Sequence, residues 1–251
     1  MTRIALDIDG TLGHRNCQQY MKTCNETLKL AIAEEHLQDI SLKAFYQLPE
    51  VQAYKERVGE AYYHKAIGWI AYHPEVLRVM RPLPGAKEGV LRLATVGDVA
   101  YYTARYSAQS EERSQVMAQA TLEWLAACDF ANPTSAIFCD GLPGKLQQLA
   151  QVIACDTQPV ILVDDQYSSL LEQLTTLDEE PAQLLKRSLI LVAYGARTAP
   201  ADAPIPVIAL PSWEQRAVHT MLETLAQFTA REQEAITERN TPSEKEAAVS
   251  K

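Results

Sequence analysis

Hydrophobic and polar positions along the chain fall into two patterns. Short runs that are apolar or rich in β-branched residues predict strands, and the longer segments around them carry apolar residues at helical spacing. The predicted strands are at 3–6, 99–102, 160–163, 188–193 and 206–210, and one clear helical stripe is Leu146, Leu149, Ala150 and Ile153. This pattern predicts an α/β fold.

The segment between Leu12 and Pro82 differs from the rest of the chain. It contains no convincing strand, and its apolar residues recur at helical spacing. An insertion of ~70 residues is too long for an ordinary connection, so we expect a structured helical subdomain. The sequence RPLPG at 81–85 predicts the hinge that leads back. The two helical stripes are Tyr20, Cys24, Leu28 and Ala31, and Val51, Tyr54, Val58 and Tyr62.

The C-terminal part of the chain predicts one more helix and a polar tail. Residues 212–228 form an amphipathic pattern that includes Trp213, Met221 and Phe228. Residues 229–251 are rich in Glu, Lys, Ala and Thr, contain Pro242 and lack aromatic residues. Such a composition favours a flexible tail over a packed element.

Composition and charge exclude several classes of function. The 251 residues are 47 % hydrophobic, which suffices for a large core. The net charge of −9 and the pI near 5.1 disfavour nucleic acid as a partner. The five cysteines are scattered without a C-x-x-C pair, which indicates buried free thiols rather than zinc. Without a secretory apolar region or a run of about 20 apolar residues, we expect a cytoplasmic protein that does not enter a membrane.

The first candidate site is the sequence Asp7-Ile8-Asp9-Gly10-Thr11. Side chains alternate along a strand, so both carboxylates can project together from its carboxyl end, where open α/β sheets bind ligands. Paired carboxylates suit Mg²⁺, and an ionised Asp can attack phosphorus to form an aspartyl-phosphate. An Asp-Gly turn closing a hairpin is the alternative for this motif taken alone.

Three later positions place complementary chemistry after or beside predicted strands. Thr103-Ala104-Arg105 follows the second strand, and its guanidinium suits a phosphate, although it could instead pair with Glu111 or Glu112. Gly144 precedes Lys145, which we expect at the positive end of a helix. Asp164 and Asp165 follow the apolar run 160–163. Each motif alone also fits a surface or capping role, but together they supply a nucleophile, a proton donor, phosphate ligands and metal ligands.

In this order the motifs resemble those of the haloacid dehalogenase superfamily of phosphotransferases. D-x-D-G-T is matched at 7–11, the Thr of the second motif at Thr103, the Lys of the third at Lys145 and the acidic pair of the fourth at Asp164 and Asp165. The second Asp of the first motif indicates the phosphatase type. The context around Thr103 resembles an acid-phosphatase or nucleotidase branch.

The resemblance implies a Rossmann-like parallel sheet with a helical cap inserted after the first strand. The core would then comprise 1–12 and 82–228, the cap 13–81 and the tail 229–251. It also implies that Asp7 is the nucleophile and that Thr103, Ala104, Arg105 and Lys145 hold the phosphoryl group. Asp9 would be the general acid and base, and a neighbouring anionic phosphate or an apolar cap could raise its pKa so that its proton stays available.

The same resemblance implies Mg²⁺ between Asp7, the backbone carbonyl of Asp9 and the fourth-motif acids. Asp165 is the expected direct ligand, and Asp164 is a helper or second ligand.

The expected activity is hydrolysis of a small phosphorylated metabolite, a nucleotide or a sugar phosphate. A non-catalytic binding protein and a polynucleotide 3′-phosphatase remain alternatives, and the oligomeric state stays open. His14 and Arg15, at the entry to the cap, either contact substrate or form an exposed hinge. Aromatic residues at 62–64 and 69–73 either stack against a base or sugar, or pack inside the cap.

Overall fold

A computed structural model describes residues 2–106, 110–156 and 158–240, the last twelve of these by their backbone alone. Its centre is a parallel sheet in the order β5-β4-β1-β6-β7-β8. A second, two-stranded antiparallel sheet pairs β2 with β3. The strands are β1 (Arg3–Leu6), β2 (Gly13–His14), β3 (Arg81–Pro82), β4 (Asp98–Thr103), β5 (Ala136–Phe138), β6 (Val160–Asp164), β7 (Leu189–Tyr194) and β8 (Val207–Leu210).

Helices cover both faces of the parallel sheet and fill the insertion after β1. Those of the insertion are α1 (Cys17–Leu28), α2 (Glu34–Gln38), α3 (Leu42–Phe45), α4 (Pro49–Val58), α5 (Glu60–Ala71) and α6 (Pro74–Arg78). Those around the sheet are α7 (Ala86–Leu93), α8 (Glu111–Ala127), α9 (Gly141–Cys155), α10 (Tyr167–Leu174), α11 (Glu179–Ser188) and α12 (Gln215–Asn240).

Strand alternation separates the core into two clusters. Ile4 and Leu6 of β1 pack with α7, α8 and α12 on one face, whereas Ala5 packs with α9, α10 and α11 on the other. Both clusters consist of fully buried aliphatic and aromatic side chains, which provide the main driving force for folding. The result is a three-layer, Rossmann-like α/β fold, as the sequence predicts.

The position of β1 in the sheet decides where ligands can bind. It lies between β4 and β6, with Leu6 opposite Tyr101 on one side and Val163 on the other. The chain runs outward from β1 through β4 to β5, then crosses to β6 and continues outward to β8. Beyond the carboxyl ends of strands, such a change of direction leaves a crevice for ligands.

The six helices of the insertion enclose a hydrophobic cluster of their own, which includes Tyr20, Phe45 and Ile70. The last of them, α6, is attached to α8, because Trp124 Nε1 donates to the Met80 carbonyl at 2.9 Å and Arg78 pairs with Glu123 at 2.5 Å. The insertion is therefore a structured helical unit joined to the sheet domain along α8.

Several boundaries differ from the sequence prediction. The short strands β2 and β3 pair where the insertion leaves and rejoins the core, in a segment predicted to lack strands. The backbone of α12 continues to Asn240, past the predicted start of the tail at 229, because Glu, Gln, Ala and Arg are strong helix formers. Residues 241–251 of the predicted tail lie outside the described residues. All five cysteines are free, but only Cys24 and Cys139 are buried.

Candidate active site

The first motif lies where β1 ends in the middle of the sheet. The backbone N–H of Asp7 donates to the Val163 carbonyl of the neighbouring strand at 2.9 Å, which fixes the first carboxylate beside β6. Gly10 follows with a φ of +83°, a conformation that favours glycine. A Cβ at Gly10 would also overlap the carboxylate of Asp165. The glycine of the motif therefore lets the first and fourth motifs approach each other.

A buried ammonium joins the first motif to the fourth. Lys145 Nζ donates to Asp7 Oδ1 at 2.6 Å and to Asp164 Oδ2 at 2.7 Å, and its side chain is fully buried. Lys145 lies one turn inside α9, which begins at Gly141, and not at the helix end that the sequence predicts. Its position depends on the packing of α9 against the sheet.

Electrostatics in this cluster favour binding of another cation. Two buried carboxyl groups, Asp7 and Asp164, share one ammonium, so a second cation would offset the negative charge that Asp7 gains when it ionises. Burial and the charges of Asp164 and Asp9 raise the pKa of Asp7 to about 8, against the opposing effect of Lys145. Burial alone would lower the pKa of Lys145, but the two carboxylates outweigh it, raise that pKa and keep the ammonium protonated.

The second oxygen of Asp7 is available for chemistry. Asp7 Oδ2 is buried and has no hydrogen-bond partner among the described residues. Thr103 Oγ1, at the end of the adjacent strand β4, is likewise buried and unpartnered within the described part of the chain. Buried polar atoms without partners are rare in native proteins and call for a bound group. Both atoms fit the roles of nucleophile and phosphoryl ligand that the motifs imply.

Asp9 is held by Arg105. Nε and Nη2 of the guanidinium donate to the two carboxylate oxygens, each at 2.8 Å, and Nη1 donates to Thr121 Oγ1 at 2.8 Å. Nη2 also lies 2.9 Å from the sulfur of Met80. Arg105 therefore does not pair with Glu111 or Glu112, the alternative left open by the sequence.

This ion pair changes the expected behaviour of Asp9. Burial tends to raise the pKa of Asp9, but Arg105 outweighs that effect and holds the pKa below its usual range. The pKa of Asp9 is thus lowered in the ligand-free protein, and the rise expected beside a bound phosphate stays a prediction. Because 38 % of the Asp9 side chain is exposed, it still faces the space in which a substrate would bind.

The two acids of the fourth motif have different surroundings. Both oxygens of Asp164 are engaged, one by Lys145 and the other by the backbone N–H of Gln166 at 2.8 Å. Asp165 is half-buried, and its carboxylate has a long contact of 3.4 Å with the Thr11 hydroxyl. Thr11 in turn accepts from the Asp165 backbone N–H at 3.0 Å, which ties the first and fourth motifs together.

Carboxylate oxygens of Asp7, Asp164 and Asp165 lie within 4.8 Å of one another, the one such acidic group found in the described ranges. The three clustered carboxyl groups supply hard oxygen donors, and together with the unpartnered Asp7 Oδ2 they fit a divalent cation such as Mg²⁺, which would favour the ionised form of Asp7.

The residues suggested for specificity are placed differently from one another. His14 is exposed on β2. Arg15 lies with Cζ 4.7 Å from the centroid of the Tyr20 ring, and its charge adds to the effect of Arg105 in lowering the pKa of Asp9. Tyr63 is buried inside the insertion, whereas Tyr62 is exposed.

A cleft of about 490 Å³ extends from Ala104 and Arg105 toward α5. Its lining includes Trp69 and Tyr72, from the aromatic stretch that the sequence suggested for stacking, and Lys65, which the sequence analysis did not consider. The available signal was their spacing of three and four residues, which places them on one helix face.

The similar solved structures are haloacid dehalogenase-type hydrolases. A haloacid dehalogenase-like hydrolase from Burkholderia xenovorans is 12 % identical, with 86 % of this chain and 94 % of that chain covered and a TM-score of 0.46. A haloacid dehalogenase-like family hydrolase from Xanthomonas campestris is 17 % identical, with 92 % and 98 % covered and a TM-score of 0.45. A subfamily IA hydrolase of this superfamily from Geobacter sulfurreducens is 14 % identical, with 86 % and 94 % covered and a TM-score of 0.43.

These structures represent the superfamily suggested by the sequence motifs and do not distinguish a branch within it. With identities under 25 % and TM-scores below 0.5, they carry no argument about activity. No protein-family model matches the chain, and no curated protein sequence matches it. Among the described residues, no helix is both long and apolar enough to cross a bilayer.

Proposed function

We propose that this chain is a Mg²⁺-dependent phosphomonoesterase of the haloacid dehalogenase type, acting on a small phosphorylated metabolite through an aspartyl-phosphate. The observation that carries the proposal is the state of Asp7. Its Oδ1 is held by Lys145, while its buried Oδ2 lacks a partner at the carboxyl end of the central strand. A carboxylate oxygen oriented in this way is suited to attack phosphorus.

The neighbouring groups supply the remaining requirements of the reaction. The Thr103 hydroxyl can donate to a phosphoryl oxygen, and Lys145 and Arg105 place positive charge beside the group being transferred. Mg²⁺, held by Asp7, Asp165 and Asp164 with the backbone carbonyl of Asp9, would neutralise charge on the phosphoryl oxygens.

Two displacements complete the turnover. Asp7 Oδ2 forms a bond to phosphorus as the ester P–O bond breaks, and Asp9 gives its proton to the departing alkoxide. Asp9, now a carboxylate, then removes a proton from water as the water oxygen attacks the aspartyl-phosphate and releases phosphate.

The Asp9–Arg105 pair must loosen before the first displacement, because a carboxylate held by a guanidinium cannot serve as an acid. An entering phosphoryl group provides the cause. It competes with Asp9 for Arg105, and its negative charge favours the protonated form of Asp9. In the free protein the lowered pKa keeps Asp9 ionised, which is the form that can accept a proton in the second displacement.

The test is phosphate release from a panel of nucleotides and sugar phosphates, with Mg²⁺ or with chelator, by the wild type and by Asp7→Asn. The proposal expects release that needs Mg²⁺ and is lost in Asp7→Asn, since the amide has nearly the same shape but is a poor nucleophile. Binding of panel members without any release would instead favour the non-catalytic alternative.

A further inference from the structure

The cleft beside Arg105 has two sides, one formed by the sheet domain and the other by the insertion. Ala104, Arg105 and Tyr106, from the loop after β4, lie on the side of the sheet domain, and Lys65, Gly68, Trp69 and Tyr72, on or just after α5, line the other side. The cleft is thus a space beside Arg105 into which the leaving group of a bound ester can extend.

Aromatic surface dominates the part of the cleft nearest the reacting groups. Tyr72 packs against the hydrophobic clusters of both the sheet domain and the insertion, which fixes it at their junction. Tyr72 lines the same cleft as Arg105, the residue that binds Asp9. Tyr106, which directly follows Arg105, is 44 % exposed although it is a large aromatic residue.

Trp69 is braced from outside the cleft. Cζ of Arg113, on α8, lies 4.3 Å from the centroid of the Trp69 ring. Arg113 lines the neighbouring cavity of about 650 Å³ and not this cleft, so it supports the indole without filling the space beside it. A rigid, partly exposed indole is a favourable surface for stacking.

Gly68 keeps the cleft open. A Cβ at this helical position would meet no atom within 4 Å, so the glycine is not required by packing inside the protein. Glycine inside a helix is also less stable than alanine. Because Gly68 has no side chain, there is room beside Trp69 for a flat group to lie along α5.

We propose that the cleft lined by Trp69, Tyr72 and Tyr106 receives a planar heteroaromatic ring on the leaving group, which makes nucleoside monophosphates the preferred substrates over sugar phosphates. The inference rests on the proposed phosphatase function and adds its substrate class. Stacking of a base on an aromatic side chain changes affinity by about 5- to 150-fold.

The first experiment compares esters that differ only by the base. kcat/KM is measured for adenosine, guanosine, cytidine and uridine 5′-monophosphates and for ribose 5-phosphate. The wild type should prefer at least one nucleotide over ribose 5-phosphate by about 10-fold or more. Trp69→Ala should remove most of that preference, and Trp69→Phe should keep part of it.

Gly68→Leu provides a second variant that does not depend on removing a core side chain. It should reduce the preference by filling the cleft, while Ala61→Leu, at an exposed position of α5 that borders neither cavity, should retain it. A wild type that releases phosphate equally well from ribose 5-phosphate and from all four nucleotides overturns the inference and leaves the phosphatase function intact.

A binding measurement distinguishes failure of the proposed base-binding cleft from failure of the proposed phosphatase function. The chain has three tryptophans, of which Trp124 and Trp213 are buried, so ligand-induced quenching of fluorescence reports mainly on Trp69. In Asp7→Asn with Mg²⁺, a nucleotide should quench saturably, ribose 5-phosphate should quench far less, and Trp69→Phe should abolish the signal. Nucleotide quenching without turnover by the wild type supports the cleft and overturns the phosphatase. Equal quenching by both ligands overturns the cleft.

Discussion

The buried ammonium of Lys145 is expected to hold the centre of the site together, and Lys145→Met tests this. Its Nζ lies 2.6 Å from Asp7 Oδ1 and 2.7 Å from Asp164 Oδ2, with no exposed surface. Removing one partner of such a buried pair costs about 3–5 kcal/mol, because the remaining charge is left without compensation. For a chain of this size that corresponds to a fall in Tm of roughly 6–20 °C.

Thermal unfolding with chelator present measures the effect. Asp164→Asn combined with Lys145→Met removes one carboxylate together with the ammonium, so the double variant should recover part of the loss. Mg²⁺ should raise the Tm of Lys145→Met more than that of the wild type, because the cation replaces the missing positive charge. The matched control is Lys87→Met, which breaks an exposed pair with Asp129 and should leave the Tm nearly unchanged, because solvent screens exposed ion pairs.

The reasoning is refuted if Lys145→Met loses no more stability than Lys87→Met. It is also refuted if the double variant is less stable than Lys145→Met, because the loss would then come from packing and not from uncompensated charge.

Three further predictions concern the carboxylates. Asp165→Asn should reduce the Mg²⁺-induced rise in Tm more than Asp164→Asn, because both oxygens of Asp164 already accept hydrogen bonds. If Asp164→Asn has the larger effect, Asp164 is the direct metal ligand and Asp165 is the helper. Arg105 lowers the pKa of Asp9 below its ordinary value of 3.8, so the ion pair stabilises the fold at pH values above 3.8, and this stabilisation is lost as the pH falls further. Arg105→Met should therefore lower the Tm more at pH 7 than at pH 3. Equal losses of Tm at the two pH values would contradict the pairing. Asp7 has a raised pKa of about 8, so the folded state binds a proton more strongly than the unfolded state and the Tm of the metal-free protein should fall as pH rises from about 4 to 8. That slope should be smaller in Asp7→Asn or with Mg²⁺, and an unchanged slope in both would show that Asp7 is not its source.

Local sequence patterns predict five of the six strands of the parallel sheet and the placement of the acidic motifs. They miss β5, because its run of three residues, Ala136–Phe138, is too short to give a pattern. The strand residues are contiguous and apolar, and each motif follows its strand directly, so strand ends alone bring Asp7, Thr103 and Asp164 to one edge. The start of α9 was predicted three residues late. Pro143 lies in the first turn, where a missing N–H is tolerated, so the helix extends back to Gly141 and Lys145 lies one turn inside it.

Long-range pairing is beyond such patterns. Arg105 lies near Glu111 and Glu112 in sequence, yet it binds Asp9, 96 residues away, because β1 and β4 are adjacent in the sheet. Exposure of aromatic residues is equally hidden, since helical spacing alone does not show that Tyr63 is buried while Trp69 borders a cleft. Tyr63 packs in the hydrophobic cluster of the insertion, whereas the surroundings of Trp69 depend on how the insertion packs against α8.

The central claim is that Asp7 becomes phosphorylated during turnover. The direct measurement is mass spectrometry of the protein quenched in acid while it turns over its best substrate with Mg²⁺, followed by mapping of the modified peptide. The account predicts one phosphoryl group on Asp7 in the wild type and none in Asp7→Asn, which should also release no phosphate. A phosphoryl group on another residue, or turnover by Asp7→Asn at the wild-type rate, would contradict it.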